Sequence, residues 1–189
     1  MHLILASQSP RRKKLLATLG FEFDVVPADI EEIAASYFAP QTAQYNAIAK
    51  AEYVAELHPH SLIIGSDTVV ELDEKILGKP KNISHAQSTL RLLAGKKHSV
   101  VTAVSLRCID NNIRCDFSVV TEVTFKHFDD SVIDNYISLV NPLDKAGAYG
   151  IQIHSELLVE SISGPVDNVI GLPCAKLNEA LQQICGLLK

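Results

Sequence analysis

The sequence predicts an α/β protein built on a mixed, twisted sheet with flanking helices. Its first part alternates short apolar strands with helices, the order that produces parallel strands. Its middle part contains two long segments rich in Val, Thr and Phe, at 98–109 and 115–128, which predict an antiparallel hairpin. Because no repeat, low-complexity tract or linker interrupts this order, residues 1–189 are predicted to form a single domain.

Composition narrows the class of protein. Apolar residues make up 47% of the chain and charged residues 21%, and the formal net charge is −5. This balance is typical of a soluble globular protein and argues against a general nucleic-acid binder, which carries a basic excess on one face. No apolar run approaches the roughly 20 residues of a membrane span, and the N-terminal segment lacks the basic-then-apolar order of a secretory signal. We therefore expect a cytoplasmic protein without a membrane or nucleic-acid partner.

The N-terminal segment predicts a strand that leads directly into a helix. HLILA at 2–6 has the apolar run of a buried strand. Ser9 is a good N-cap, Pro10 suits the first helical position, and Gly20 suits the position after the last turn. The helix is therefore expected from Pro10 to about residue 19.

The remaining elements follow from apolar periodicity and turn residues. In chain order they are a strand at 21–27, a loop at 28–40, a helix at 41–57, a strand at 61–72, an extended stretch with a turn at 74–82, a helix at 84–93 capped by Ser84, a helix at 131–139, a strand at 157–162 and a helix at 173–188.

The turn of the predicted hairpin sets its register. Asparagine tolerates positive φ, so Asn111-Asn112 predicts a two-residue turn that places Cys108 opposite Cys115. The four cysteines show neither CxxC nor zinc-ligand spacing. In a reducing cytosol the two facing thiols are expected to stay reduced.

Four consecutive cations begin the first helix. Arg11, Arg12, Lys13 and Lys14 follow Ser9-Pro10, where the helix dipole is already positive. Each cation there costs about 0.3–1 kcal/mol unless an anion lies nearby. A helix start with free amides favours phosphate, so the cluster predicts an anion site.

An acidic residue interrupts the most apolar strand of the chain. Asp67 lies in SLIIGSDTVVEL at 61–72, after the small residues Gly65 and Ser66. A buried carboxylate must be paired, hydrogen-bonded or bound to a metal. A functional carboxylate and an aspartate that only caps a turn are equally compatible with this stretch.

Two lysines could reach the same region. Lys79 precedes Pro80, which favours an extended backbone and a projecting side chain; a phosphate ligand and a solvated turn lysine are the alternatives. Lys50 lies beside alanines on the helix at 41–57, where it either reaches a cleft or extends its charge to solvent.

Acidic and amide side chains supply further candidates. Glu31 and Glu32 could hold Mg²⁺ together with Asp67, since this ion prefers oxygen ligands, or they could belong to a solvated acidic loop. Gln152 ends the glycine-rich segment KAGAYGIQ. Its amide could bind a nucleobase edge, or the segment could simply be a turn that enters a strand.

Six of these stretches, in this order, resemble the Maf family of nucleotide pyrophosphatases. They are LASQSPRRKKLL, IGSDTVV, LGKPK, VTEVTF, DKAGAYGIQ and NVIGLP. The resemblance covers nearly the whole chain, and the combination is highly specific. It implies an elongated α/β fold with a cleft between two lobes, related to inosine triphosphate pyrophosphatases. It also implies hydrolysis of a nucleoside triphosphate to the monophosphate and pyrophosphate with a divalent metal, Mg²⁺ or Mn²⁺.

The resemblance also assigns roles to residues. Asp67 matches the proton acceptor of the family, and with Glu32 it is our candidate metal ligand. The positions tied to substrate choice are Arg11, Thr68 and Gln152. The other polar positions of the family's cleft correspond to Ser7, Arg12, Glu32, Lys50 and Lys79.

The branch of the family bears on the substrate. One branch has W at the place of Arg11 and Q at the place of Thr68, lacks AYGIQ, and prefers 7-methyl-GTP. This chain keeps Arg11, Thr68 and Gln152, so it resembles the branch that acts on dTTP and UTP. A pyrophosphatase for modified purines and a non-catalytic nucleotide-binding regulator of cell division are the alternatives. A nucleoside triphosphate is the expected partner, and a homodimer is compatible with the sequence.

Overall fold

A computed structural model describes residues 1–33 and 38–187. Its strands are β1 (Leu3–Leu5), β2 (Asp24–Val25), β3 (Leu62–Leu72), β4 (Lys75–Leu77), β5 (Lys97–Cys108), β6 (Ile113–Phe125) and β7 (Val159–Ser163). Its α-helices are α1 (Pro10–Ala17), α2 (Ala39–Leu57), α3 (Ile83–Leu93), α4 (Asp130–Leu139), α5 (Val166–Ile170) and α6 (Cys174–Leu187). Short 3₁₀ helices occupy Ala146–Ala148 and Ser155–Leu157.

The strands form one mixed sheet of seven strands. Their order is β2-β1-β3-β5-β6-β7, and β4 pairs with β3 off this path. The pairs that β1 forms with β2 and β3 are parallel, whereas β3, β5, β6 and β7 run antiparallel to one another. The predicted mixed sheet with flanking helices is therefore confirmed.

The long strand β3 is buried on both faces. Ile63 and Val69 pack against the alanine-rich side of α2. Ile64 points to the opposite face, in a cluster with side chains of α1 and α6, and Val70 packs there against α3 and α4. This two-sided burial explains why the strand is a nearly continuous apolar run.

One edge of β3 is only partly paired. The short strand β1 pairs with it up to Ile64, and β4 pairs with it from Val70 onward. Between these two strands, residues 65–69 have no strand neighbour on this edge within the described part of the chain, and β5 pairs with them on the other edge. We call this five-residue stretch the open edge of β3.

The helix α2 lies unusually close to β3 at Gly65. A Cβ atom at Gly65 would clash with the carbonyl oxygen of Ala47 and would lie 2.8 Å from the amide nitrogen of Ala51. Only a residue without a side chain permits this approach. The close contact places polar residues of α2 against the open edge.

The hairpin of β5 and β6 corrects the predicted register. Cys108 pairs with Ile113, and Cys115 pairs with Leu106, so Cys108 does not face Cys115. The connection has four residues because only Asn112 of the two asparagines adopts positive φ, at 50°, whereas a two-residue type I′ turn needs both. Since the shift is two residues, each side chain keeps its predicted face.

Other differences concern short elements. Asn82, and not Ser84, caps α3, because its side-chain oxygen accepts the amide of His85 at 2.8 Å. The predicted strand at 21–27 is reduced to Asp24–Val25. The apolar periodicity of the sequence did not predict α5, which has only five residues. Within the predicted loop at 28–40, residues 34–37 lie outside the described residues, as does Leu188 of the predicted last helix. Among the helices described, none has the length and apolar character needed to cross a membrane.

A buried histidine joins the aromatic core under the 3₁₀ segments. The ring of His98 lies 4.9 Å from that of Phe125, and its Nε2 lies 2.8 Å from the Tyr149 hydroxyl. Burial lowers the pKa of His98 to about 4. The imidazole is therefore neutral in the native protein at neutral pH.

We predict that Gly65→Ala destabilises the protein by about 1–3 kcal/mol, since the added methyl group must push α2 off β3. Urea unfolding of the variant measures the loss. Gly78→Ala is the matched control, because a Cβ at Gly78 meets nothing within 4 Å. Equal losses in the two variants would contradict a tight contact at Gly65.

We also predict that stability falls on mild acidification. Below pH 6.5 the unfolded chain protonates His98, while the native state resists until about pH 4. This difference should remove about 2 kcal/mol between pH 7 and pH 5. Urea unfolding of wild type and His98→Gln at both pH values tests it: the variant should lose distinctly less than wild type, and an identical loss would rule out His98 as the cause.

Candidate active site

Six of the predicted site residues meet at the open edge of β3: Ser7, Arg12, Glu32, Lys50, Asp67 and Thr68. Asp67 and Thr68 are consecutive there, so their side chains point to opposite faces of the sheet. Asp67 contacts side chains of α2, and Thr68 contacts Arg12 of α1. Two polar clusters therefore lie on either side of one strand, at the position where neighbouring strands leave it uncovered.

The first cluster is built on a lysine between two carboxylates. The Lys50 Nζ lies 2.8 Å from Asp67 Oδ1 and 2.6 Å from Glu32 Oε1. Lys50 and Asp67 are both 7% exposed, whereas Glu32 stands at the exposed rim. The buried carboxylate and the buried ammonium thus compensate each other, and Glu32 adds a second negative charge.

Glu32 is held in its charged form. Burial opposes its ionisation, but the hydrogen bond and the charge of Lys50, with the charges of Lys79 and Arg12, outweigh this effect and lower the pKa of Glu32. Lys79 itself is exposed. Its charge acts on Glu32, so the turn formed by Lys79 and Pro80 lies within electrostatic reach of the cluster.

Asn46 completes this cluster, and sequence reasoning missed it. Its Nδ2 donates to Asp67 Oδ2 at 3.1 Å and to the carbonyl oxygen of Ile33 at 3.3 Å. Its Oδ1 accepts the Ile33 amide at 3.0 Å. A signal was available, because Asn46 is one helical turn before Lys50 and therefore shares its face of α2.

The second cluster surrounds the guanidinium of Arg12. Its Nε donates to the carbonyl oxygen of Gly171 at 2.8 Å, Nη2 to Thr68 Oγ1 at 3.0 Å and Nη1 to Ser7 Oγ at 3.4 Å. All three acceptors are neutral. Burial lowers the pKa of Arg12, and the charges of Asp67 and Glu32 offset only part of this effect.

A hydroxyl chain fixes Thr68. The Thr102 hydroxyl donates to the carbonyl oxygen of Asn168 at 2.7 Å and lies 2.9 Å from Thr68 Oγ1. The single hydroxyl proton of Thr102 is donated to the Asn168 carbonyl oxygen, so in the contact between the two threonines the Thr68 hydroxyl must be the donor. The oxygen of Thr68 is therefore free to accept from Arg12.

Gly171 brings a distant segment into this cluster. Its carbonyl oxygen also accepts the Ser66 hydroxyl at 3.1 Å, and its φ of 123° is one that residues with side chains rarely adopt. A Cβ there would lie 3.2 Å from Thr68 Oγ1 and 3.3 Å from Arg12 Nε. No local pattern links it to Arg12, so the sequence could not predict this contact.

Arg11 and Gln152 lie apart from these hydrogen-bonded clusters. Arg11 forms an ion pair with Asp144, with 2.8 Å between Nη1 and Oδ2. Gln152 is exposed in the segment that follows Tyr149. The residues just before Tyr149 are tied to the turn at residues 78–80, because the Gly147 amide donates to the carbonyl oxygen of Gly78 at 3.2 Å.

Glu32 and Asp67 are the residues that could hold a divalent cation. Both carboxylates converge on the same ammonium nitrogen, so they already point at one cationic group. Mg²⁺ is commonly held by one or two carboxylates together with waters and substrate phosphates. Among the described residues no group of three His, Cys, Asp or Glu could hold a metal, so a cation here would draw its remaining ligands from water or from a bound ligand.

Comparison with known proteins identifies related chains. The family model of Maf-like proteins matches residues 2–184. A dTTP/UTP pyrophosphatase of Bacillus cytotoxicus is 44% identical over 181 residues, which are 95% of this chain and 94% of that protein. A dTTP/UTP pyrophosphatase of Akkermansia muciniphila is 44% identical over 179 residues, 94% of each chain.

A solved structure shares the fold. The Staphylococcus aureus Ham1 protein superposes with a TM-score of 0.58 at 18% identity, covering 97% of this chain and 99% of that chain. At this identity the likeness concerns the architecture alone.

The geometry predicts that Arg12 binds anions. Arg12→Ala should weaken the binding of inorganic tripolyphosphate roughly tenfold to hundredfold, the range expected for one charged hydrogen-bonding group. Isothermal titration calorimetry measures the affinity. Lys13→Ala is the matched control, because Lys13 is exposed in the same helical turn. A comparable loss in Lys13→Ala would show that general positive charge, and not the guanidinium, binds the anion.

Proposed function

The chain belongs to the Maf-like protein family, as its motifs predicted, and we propose that it hydrolyses nucleoside triphosphates to the monophosphate and pyrophosphate, with dTTP and UTP as preferred substrates. The relatives at 44% identity are named dTTP/UTP pyrophosphatases, which supports the activity and the substrate class together. The likeness to Ham1 supports the fold predicted by the resemblance.

One observation carries the proposal. A buried carboxylate, Asp67, lies at the open edge of β3 within electrostatic reach of a guanidinium, Arg12, whose described acceptors are all neutral. A cation without a carboxylate partner suits a phosphate chain, and the adjacent carboxylate suits a proton acceptor. This combination is what phosphoanhydride hydrolysis needs.

The cations stabilise the negative charge that moves during the reaction. In this proposal Arg12, Lys50 and Lys79 supply positive charge to the bound phosphates, and Arg11 adds a further charge beside Arg12 at the start of α1. Fixed positive groups at the position of developing charge are usually the largest catalytic contribution. Ser7 adds a hydroxyl that already holds Arg12.

Asp67 takes the proton in this proposal. Water attacks the α-phosphorus, the bond between the α-phosphorus and the bridging oxygen breaks, pyrophosphate leaves, and the proton of the water passes to the Asp67 carboxylate. Lys50 already engages Oδ1, so it orients the carboxylate while it balances its charge. The two roles proposed for Asp67 compete, because a carboxylate that binds a metal tightly is less able to accept a proton.

Glu32 and Asp67 would hold the divalent metal, Mg²⁺ or Mn²⁺. When bound, the metal supplies positive charge that neutralises phosphate oxygens. Glu32 is suited to this role because its pKa is lowered and its side chain is at the rim.

Arg11, Thr68 and Gln152 are proposed to set the choice of base. Thr68 is fixed by its hydroxyl chain, and Arg11 is held by Asp144. Gln152 is exposed and can donate and accept at once. We further propose a cytoplasmic location and no nucleic-acid partner. We also propose that the protein assembles as a homodimer, and sedimentation equilibrium would test this oligomeric state.

We predict that Asp67→Asn abolishes pyrophosphate release from dTTP and UTP. Asparagine keeps the shape of the side chain but cannot accept the proton, so nucleotide binding should be largely retained. Turnover is measured by pyrophosphate release, and binding by calorimetry with the unreacted nucleotide.

Asp116→Asn is the matched control. The Asp116 carboxylate binds the buried guanidinium of Arg107 at 2.7 and 2.9 Å, away from the open edge. Its replacement also removes a carboxylate beside a buried cation, yet turnover should persist. Activity retained in Asp67→Asn would refute the assignment of Asp67.

A further inference from the structure

The geometry points to Asn46 as a positioning residue for the proposed reaction. We propose that its side-chain amide fixes the direction of the Asp67 carboxylate and the position of the loop that carries Glu32. This inference rests on the proposed function, in which these two carboxylates act together.

Asn46 and Lys50 each donate a hydrogen bond to a different oxygen of the Asp67 carboxylate. Asn46 Nδ2 binds Oδ2 at 3.1 Å, and Lys50 Nζ binds Oδ1 at 2.8 Å. The two residues are four positions apart on α2, so both side chains project from one face of the helix. Because each carboxylate oxygen has its own donor, the carboxylate cannot rotate without losing a hydrogen bond.

The same amide fastens the loop of Glu32. It binds both the amide and the carbonyl oxygen of Ile33, as a neighbouring strand would. Residues 31–33 belong to no helix or strand, so this pairing supplies the backbone order that regular structure would otherwise give. Glu32 directly precedes Ile33, so the distance of its carboxylate from Asp67 depends on how this backbone is held.

The amide of Asn46 is fully committed. One hydrogen of Nδ2 serves Asp67, the other serves Ile33, and the oxygen accepts the Ile33 amide. Asn46 is only 3% exposed, so it does not reach a ligand itself. Its effect on the reaction must pass through Asp67 and Glu32.

The test compares two isosteric substitutions of buried polar residues. Asn46→Leu keeps the branched shape and removes all three hydrogen bonds. Thr89→Val is the matched control, because Thr89 is 7% exposed and its hydroxyl donates only within α3, to the carbonyl oxygen of His85. Each variant is measured for kcat and KM with dTTP, for Mn²⁺ affinity without nucleotide by electron paramagnetic resonance, and for unfolding.

In Asn46→Leu we expect kcat to fall roughly tenfold to hundredfold and Mn²⁺ to bind more weakly by a similar factor, as for other residues that orient metal ligands. KM should change little, because Arg12 and the lysines remain. In Thr89→Val both quantities should stay near wild type. Should Asn46→Leu lose only stability, or lose kcat/KM through KM alone, the positioning role is wrong.

Asn46→Asp keeps the test decisive if the leucine variant does not fold. Aspartate keeps the shape and the acceptor for the Ile33 amide but cannot donate to Asp67. Its kcat should fall at least about tenfold although a carboxylate has been added, and wild-type kcat would overturn the inference. Two further measurements separate the proposals. A wild-type protein that releases no pyrophosphate from dTTP overturns the proposed function, and an active Asp67→Asn refutes the assignment of Asp67 and with it the role of Asn46. An inactive Asp67→Asn beside a fully active Asn46 variant overturns only the role of Asn46.

Discussion

The structure depends on compensating one carboxylate inside the sheet. A buried ion without partners is strongly unfavourable, and removing one member of a buried pair costs about 3–5 kcal/mol. Within the described part of the chain, Asp67 receives its side-chain hydrogen bonds from α2, through Lys50 and Asn46. The helix must therefore lie close to β3, and Gly65 with the alanines of α2 makes that approach possible.

The sheet keeps the two opposite charges of the site apart. Asp67 is satisfied on the face of α2, and Arg12 is held by neutral oxygens on the other face. Had the two formed a direct ion pair, each would have been neutralised and less available to a ligand. The alternation of a single strand at Asp67 and Thr68 enforces this separation, because consecutive side chains point to opposite faces.

The sequence predicted most elements and drew attention to residues that the structure brings together in the candidate site, because both carry local signals. Apolar periodicity defined α2 and β3, and the unusual positions of Asp67, Arg12 and Lys50 marked them before the fold was known. The hairpin register depended on the φ of one asparagine, and the contact of Arg12 with Gly171 joins residues 159 positions apart. The turn is local, but asparagine tolerates either sign of φ and so does not fix it. The contact of Arg12 with Gly171 arises from tertiary packing, so no window of the sequence contains it. The family resemblance predicted the fold and the substrate class, which composition and spacing alone had left open.

The open edge of β3 also bears on how the protein avoids aggregation through its sheet edge. Unpaired backbone groups along a strand can recruit the strand of another molecule and begin aggregation. Here the unpaired stretch spans residues 65–69 and is flanked by β1 and β4, which occupy the same edge on both sides. An incoming strand would have to displace one of them to form a ladder of useful length, and it would meet the charged side chains of Lys50 and Arg12. The interruption at the candidate site is thus too short and too charged to template fibrils.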